Sequence, residues 1–375
     1  MISDQARELH FSSTIVDTHS DSLARTVDGG EDLGSNTRAG HMDLPRMRSG
    51  NQTAQFFAAY VSPEYLDEGT AVQRVLRYTD AFRRLCEQYP DQIEQAKTAS
   101  DVRRITGEGR LAGILCLEGG HAIMDDLGVL REFHELGVRY MTLTHNNTNN
   151  WADGVLDDPR HDGLTDFGRT VVKEMERIGM IVDISHVAVK TFWDTIETVT
   201  KPVIASHSSC WKICQNPRNM NDDQLKAVAQ NGGVVHVNYE VTFIGQKRNE
   251  EEKALNDQRD AELAEITSRF EIGSDAAKDS LGKIRDRYKA KVDKLERPHY
   301  TEIVDHIDHV VNVSGIDHVG LGSDFDGCRL PDGLDDCSKV PLITEELLKR
   351  GYSDIDIRKI HGENSLRVME ESIGQ

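Results

Sequence analysis

Short runs of apolar residues recur along this chain, and between them apolar positions return every three or four residues. The runs lie near 14–18, 54–61, 112–117, 138–144, 180–184, 202–206, 233–238 and 318–322. They read as strands of the buried type. Between them, Val72, Val75, Tyr78, Phe82, Leu85 and Tyr89 mark one apolar helix face. Val171, Val172, Met175 and Ile178 do the same ahead of Gly179. Strands alternating with helices predict an α/β fold with a parallel sheet. Eight such strands are the number that closes a (β/α)8 barrel; an open, doubly wound sheet is the competing architecture.

One segment breaks the rhythm. Residues 246–297 are dense in charge and hold no strand-like run. Leu263, Ile266 and Phe270 fall at helical spacing, as do Leu281, Ile284, Tyr288, Val292 and Leu295, with Gly273-Ser274-Asp275 between the two series. The pattern predicts an antiparallel helical hairpin with a narrow apolar seam. Placed after the seventh strand, it should emerge on the face where the βα loops gather. It is either a solvated excursion or a lid or partner-binding element. The organisation expected is therefore one (β/α)8 domain over 1–375 with 246–297 inserted.

Composition narrows the partners. With 375 residues, 38% of them hydrophobic, the chain can build a large core, and its net charge of -20 argues against nucleic acid and anionic membranes. No apolar run reaches the ~18 residues of a membrane span. Neither a basic-then-apolar leader nor a lipid-anchor signal is visible, so a soluble cytoplasmic protein is expected, or an exported one whose leader has been removed. Cys86, Cys116, Cys210, Cys214, Cys328 and Cys337 form no disulfide framework, and Cys210 and Cys214 lack the second pair a structural zinc site needs.

The chemistry lies at the strand ends. The first strand runs into His19-Ser20-Asp21, the third into Glu118 and the fourth into His145. The fifth runs into His186, the sixth into His207 and the eighth into Asp324. In a barrel all these ends converge on one mouth. His19, Asp21, Glu118, His186 and His207 can serve two divalent ions if Glu118 bridges them, and ions ~3.5–4 Å apart activate a shared water and polarise a substrate oxygen. That leaves Asp324 suited to proton transfer and His145 to stabilising an oxyanion. Arg218, in the loop after His207, is either a fork for a substrate carboxylate or a salt bridge to the aspartates that follow it. Asp326 and Glu240 carry less weight. His306 and His309, in an apparent helix, should be solvated or half-buried. No GxGxxG, Walker or GxSxG sequence sits at a strand end.

The set Val16-Asp17-Thr18-His19-Ser20-Asp21, Leu117-Glu118-Gly119-Gly120, Leu143-Thr144-His145-Asn146, Ile184-Ser185-His186, Ala205-Ser206-His207-Ser208, Pro217-Arg218-Asn219 and Gly322-Ser323-Asp324-Phe325-Asp326-Gly327 resembles the membrane (renal) dipeptidase family of dinuclear zinc peptidases, within the amidohydrolase superfamily. The likeness covers about 12–245 and 298–372. Aspartate at the second position of His-x-Asp is its most telling feature, since many amidohydrolases carry histidine there. The resemblance implies a (β/α)8 barrel with two Zn2+ ions, other divalent ions being alternatives. His19 and Asp21 would bind one ion, His186 and His207 the other, and Glu118 both. Asp324 would be the acid/base. His145 and Arg218 would bind substrate, Arg218 at its C-terminal carboxylate. The implied reaction is hydrolysis of dipeptides, often with tolerance for a D-residue at the second position, by a metal-bridging hydroxide.

The chain departs from mammalian members in three ways: no cysteine follows His145, no anchor signal is present, and the 246–297 hairpin is extra. These features suit a soluble, bacterial-type member, with a homodimer as one arrangement. The alternatives are another amidohydrolase reaction, such as N-acyl-amino-acid deacylation or lactone hydrolysis, or a metal-stabilised binding protein acting through the hairpin.

Overall fold

The computed structural model describes residues 2–37, 39–269 and 275–374. Eight parallel strands form its centre: β1 (Val16–Asp17), β2 (Ala54–Tyr60), β3 (Leu111–Glu118), β4 (Val138–Thr142), β5 (Ile181–Asp183), β6 (Ile204–Ala205), β7 (Val234–Val237) and β8 (Val319–Leu321). Each pairs with the next, and Asp17 of β1 pairs with Leu321 of β8, so the sheet closes into a barrel. Closure excludes the open, doubly wound alternative and removes the free edges such a sheet would present. A ninth strand, Ile93–Gln95, was not legible as an apolar run; it lies outside the ring and pairs with the first residues of β3.

Strand alternation sorts the apolar residues into two cores. Ala54, Phe56 and Ala58 of β2 and Ala112, Ile114 and Cys116 of β3 join Val16, Tyr140, Ile181, Ile204 and Val234 in the barrel's bore. Phe57 and Ala59, with Leu115 and Leu117, point the other way and meet the helices. There Val75, Tyr78 and Phe82 of helix Ala71–Gln88, and Val171, Val172 and Met175 of helix Asp166–Ile178, complete the outer core. Each large side chain buried this way contributes roughly 1.5–3 kcal/mol.

Several strands are shorter than the apolar runs that announce them. β1 stops at Asp17 because the next N–H available for a ladder, that of His19, bonds the Asp17 carboxylate at 3.1 Å. β5 and β6 stop for the same reason, as Asp183 takes the N–H groups of Ser185 (3.0 Å) and Ser206 (2.9 Å). The chain thus leaves the sheet where its functional side chains begin.

Within 246–297, helices Gln246–Arg269 and Asp275–Val292 pack on one another. Ile284 and Tyr288 are buried and Leu263, Ile266 and Leu281 half-buried along the seam. Phe270 and the Gly273-Ser274 break lie outside the described residues. At the base, Arg248 donates to the Leu295 carbonyl (2.9 Å) and pairs with Glu252, which also receives Arg329 (2.8 Å). Arg329 in turn pairs with Glu240, at the end of the loop after β7. This chain of charges fastens the insert to the C-terminal mouth of the barrel. No described helix is long and apolar enough to cross a membrane.

His306 differs from expectation. It is fully buried, accepting from the Cys210 N–H (2.9 Å) and donating to the Ile244 carbonyl (3.1 Å), because its helix face turns inward. His309 is half-buried and pairs with Asp222 at 2.7 Å. Burial lowers His10, His236 and His306 each to about 4. These rings stay neutral when folded, whereas the unfolded chain takes up protons below about 6.5. Stability should therefore fall as pH drops from about 6.5 to about 4. Urea melts in chelator at pH 7 and pH 5 should show the loss, and His10→Gln should reduce it.

Candidate active site

The C-terminal strand ends surround a cavity of about 660 Å3 whose lining includes Asp21, Glu118, His145, His186, His207, Arg218 and Asp324. His19 lies fully buried beneath it. All eight residues singled out from the sequence thus meet at one place. Glu118 occupies the middle. Its Oε2 faces His19 Nε2 at 3.5 Å, and its Oε1 faces His186 Nε2 at 3.1 Å and His207 Nε2 at 3.4 Å. Asp21 stands 3.7 Å from the same nitrogen of His19. Ligand atoms of His19, Glu118 and His207, of Glu118, His145 and His186, and of His19, Asp21 and Asp324 form three compact groups able to hold a metal ion. His145 and Asp324 thus stand closer to the ligand cluster than their expected roles required.

Hydrogen bonding selects one nitrogen on each of three rings. Tyr140 gives its proton to the Thr18 carbonyl (2.9 Å), so its oxygen accepts from His19 Nδ1–H at 2.7 Å. His186 Nδ1–H donates to Asn146 Oδ1 at 2.9 Å. His207 Nδ1 meets Ser206 Oγ at 2.7 Å, and that hydroxyl donates to Asp183 Oδ2 at 2.6 Å. Every Nδ1 is therefore a donor, which leaves each Nε2 directed at Glu118, with a lone pair there whenever the ring is neutral. His19 Nε2 is buried without a hydrogen-bond partner. The Nε2 atoms of His186 and His207 lie 2.7 Å apart, two lone pairs facing each other. A cation between them relieves that repulsion, so this donor set fits borderline divalent ions.

The electrostatics agree. Burial holds His186 and His207 well below their usual range, and the Arg218 charge adds to it. Burial opposes charge on His19 and Glu118 as well, but their mutual attraction prevails, raising His19 and lowering Glu118. Burial raises Asp324, and the nearby Asp21 and Glu118 carboxylates raise it further against the pull of His19.

Backbone geometry at the mouth is unusual. His186, Asp324 and Asp326 adopt φ of 66°, 62° and 68°. Non-glycine residues occupy this left-handed region at a cost, and such outliers concentrate at functional sites. Asp324 is held there by its N–H to the His19 carbonyl (3.2 Å) and by Asn238 Nδ2 on its carboxylate (3.1 Å). A Cβ at Gly327 would collide with the carboxylates of Asp21 and Asp324. Asp326 is occupied by Ser22, Arg25 and the His41 N–H, so it braces the mouth.

Arg218 is buried, with one contact from Nη2 to the His207 carbonyl (3.2 Å), its guanidinium over the Phe243 ring and Nε unpartnered. The alternative salt bridge to following aspartates is absent among the described residues: Asp222 pairs with His309, and Asn221 caps the helix instead. Burial lowers Arg218 to about 10 although Asp324 and Glu118 oppose it.

The roles of Tyr140, Asn146, Asp183, Ser206 and Asn238 escaped the sequence reading. Asn238 directly follows β7, and Tyr140 occupies a bore-facing position of β4, so strand-end position and alternation were the available signals. Glu240, given little weight, does line the cavity. Cys210 and Cys214 are buried free thiols.

A closed (β/α)8 barrel with imidazoles and carboxylates gathered at its C-terminal mouth is an arrangement suited to metal-assisted hydrolysis. The membrane dipeptidase family model (peptidase family M19) matches residues 3–373, and the chain belongs to that family. It is thus a peptide-bond hydrolase, a dipeptidase of family M19. It is 36% identical to the dipeptidase verJ of Clonostachys rogersoniana over 346 residues, 89% of this chain and 76% of that protein. The probable dipeptidase PvdM from Pseudomonas aeruginosa superposes with a TM-score of 0.86 at 26% identity, covering 98% of this chain and 97% of that one. A Rhodobacter sphaeroides metallopeptidase, solved with a phosphinate mimic of L-Ala-D-Ala, shares the fold with a TM-score of 0.78 at 24% identity, over 96% of this chain and 99% of that one.

Glu118 faces the imidazoles of His19, His186 and His207, so if this cluster holds a divalent ion its loss should be felt most. Glu118→Ala should then lower affinity for a divalent probe such as Zn2+ by more than the roughly 10–100-fold that outer-shell partners contribute. Competition against a chromophoric chelator measures this, and unchanged affinity would remove Glu118 from the ligand set.

Proposed function

We propose that this enzyme hydrolyses dipeptides bearing a free C-terminal carboxylate, with two zinc ions held by His19, Asp21, Glu118, His186 and His207. The observation that carries the substrate reading is Arg218, a buried cation with no carboxylate partner among the described residues, which lines the same cavity as the ligand cluster. A buried guanidinium with free donors suits a planar carboxylate. The cavity volume, about 660 Å3, lies in the range of small-molecule sites.

When bound, the ions supply positive charge that lowers the pKa of water and polarises the scissile carbonyl. The side chains do the rest. Arg218 clamps the substrate's terminal carboxylate and so sets the distance from that end to the scissile bond. Asp324, oriented by Asn238, takes a proton from the attacking water and returns it to the leaving amine. His145 packs edge-on against Tyr60 at 4.8 Å and is kept mainly neutral by burial. As a neutral ring it donates one N–H to the tetrahedral oxyanion.

Zinc-loaded protein should cleave members of a panel of L-L and L-D dipeptides while sparing their C-terminal amides. No turnover of any dipeptide would sink the reading, and equal turnover of the amides would remove the carboxylate clamp. Asp324→Asn tolerates the same backbone conformation and should keep bound metal while losing roughly 100-fold or more in kcat. Full activity would reassign the proton transfer. Arg218→Met should raise KM by roughly 10–100-fold, the worth of a charge-assisted contact, with a smaller change in kcat.

A further inference from the structure

Three ligand-type histidines each have a different partner on Nδ1, and one of those partners leads to a buried carboxylate outside the cluster. Asp183, at the end of β5, is fully buried and surrounded by four donors. Its Oδ1 accepts the backbone N–H of Ser185 at 3.0 Å and of Ser206 at 2.9 Å. Its Oδ2 accepts the hydroxyls of Thr142 at 2.5 Å and Ser206 at 2.6 Å. Having given its proton to Asp183, Ser206 can only accept from His207 Nδ1, 2.7 Å away.

We propose that Asp183 is a positioning residue that, through the Ser206 hydroxyl, fixes the His207 tautomer and so keeps His207 Nε2 free for metal. The inference rests on the metal reading above. It differs from ordinary bracing because it depends on the direction of one hydroxyl, and that direction can be reversed without removing a heavy atom.

Asp183→Asn makes the reversal. The two backbone N–H groups at Oδ1 cannot turn, so the amide oxygen must remain on their side. The new NH2 then faces the Thr142 and Ser206 hydroxyls and donates to Ser206 Oγ. The Ser206 proton turns to His207 Nδ1, its nearest remaining acceptor at 2.7 Å against 3.5 Å to Ser185 Oγ, and the ring then carries its own hydrogen on Nε2, where the ion would bind. Ser206→Ala acts differently. It removes the acceptor from Nδ1 but forces no donor upon it, so the ring can still adopt the ligating tautomer.

Zinc stoichiometry and chelator-competition affinity, measured on full-length protein, separate these cases. Wild type should take up two ions. Asp183→Asn should weaken one of them by roughly 10–100-fold and leave the other unchanged, with a smaller loss in Ser206→Ala. The decisive variant is Asp183→Asn with Ser206→Ala. With no hydroxyl to reverse, it should bind the affected ion more tightly than Asp183→Asn alone, returning toward the Ser206→Ala value. A purely structural role predicts the opposite, since two defects in one network would not repair each other. Wild-type affinity in Asp183→Asn, or a double variant no better than it, overturns the proposal. Should Asp183→Asn fail to fold, unchanged affinity in Ser206→Ala overturns it and a weakened single ion supports it. If wild type takes up no metal, the functional reading fails first and this inference falls with it.

Discussion

One carboxylate, that of Glu118, lies at the end of β3 with imidazoles from three other strand ends against its two oxygens. Burying an ionised carboxylate carries a penalty of several kcal/mol unless opposite charge and hydrogen bonds repay it. Here the surrounding rings present lone pairs, so positive charge must come from a proton or a bound cation. Against the effect of burial, the Glu118 and Asp21 carboxylates raise the affinity of His19 for a proton, which expresses that demand. The barrel is the device that brings these strand ends within reach of one another and, on the reading proposed above, of a cation.

Two further buried carboxylates hold the rim of that device in register. Asp17 receives the N–H groups of His19 (3.1 Å) and Ser323 (3.0 Å), joining the end of β1 to the end of β8. Asp183 receives those of Ser185 and Ser206, joining β5 to β6. Each ends a ladder and starts a functional segment. The left-handed residues His186 and Asp324 follow these braces by a few positions, where the chain turns sharply out of the sheet. Their cost is supportable because the neighbouring backbone is already tied across strands.

The mouth is also where the insert is anchored. Glu252 on the first helix of the insert and Glu240 after β7 both hold Arg329, and Glu240 and Arg329 line the cavity. The insert is therefore mechanically continuous with the wall that a substrate would meet, although none of its described residues joins the clusters able to hold a metal ion.

Much of this was legible from residue order alone. Short apolar runs and period-3.6 patterns announced eight strands and the helices between them, and a histidine or carboxylate at six strand ends announced a site. Those signals survive in one dimension because burial repeats with the element's own period and a barrel sends every strand end to one place. Closure over an open sheet, the freedom of Arg218 from its neighbouring aspartates and the inward turn of His306 did not survive. Each is settled by contacts between segments distant in sequence. The same holds for the choice of ring nitrogen on His19, His186 and His207. A histidine's sequence says that it can ligate; only Tyr140, Asn146 and the Ser206–Asp183 pair, brought in by the fold, decide which atom does so, because a proton's place is set by the partners within hydrogen-bond reach.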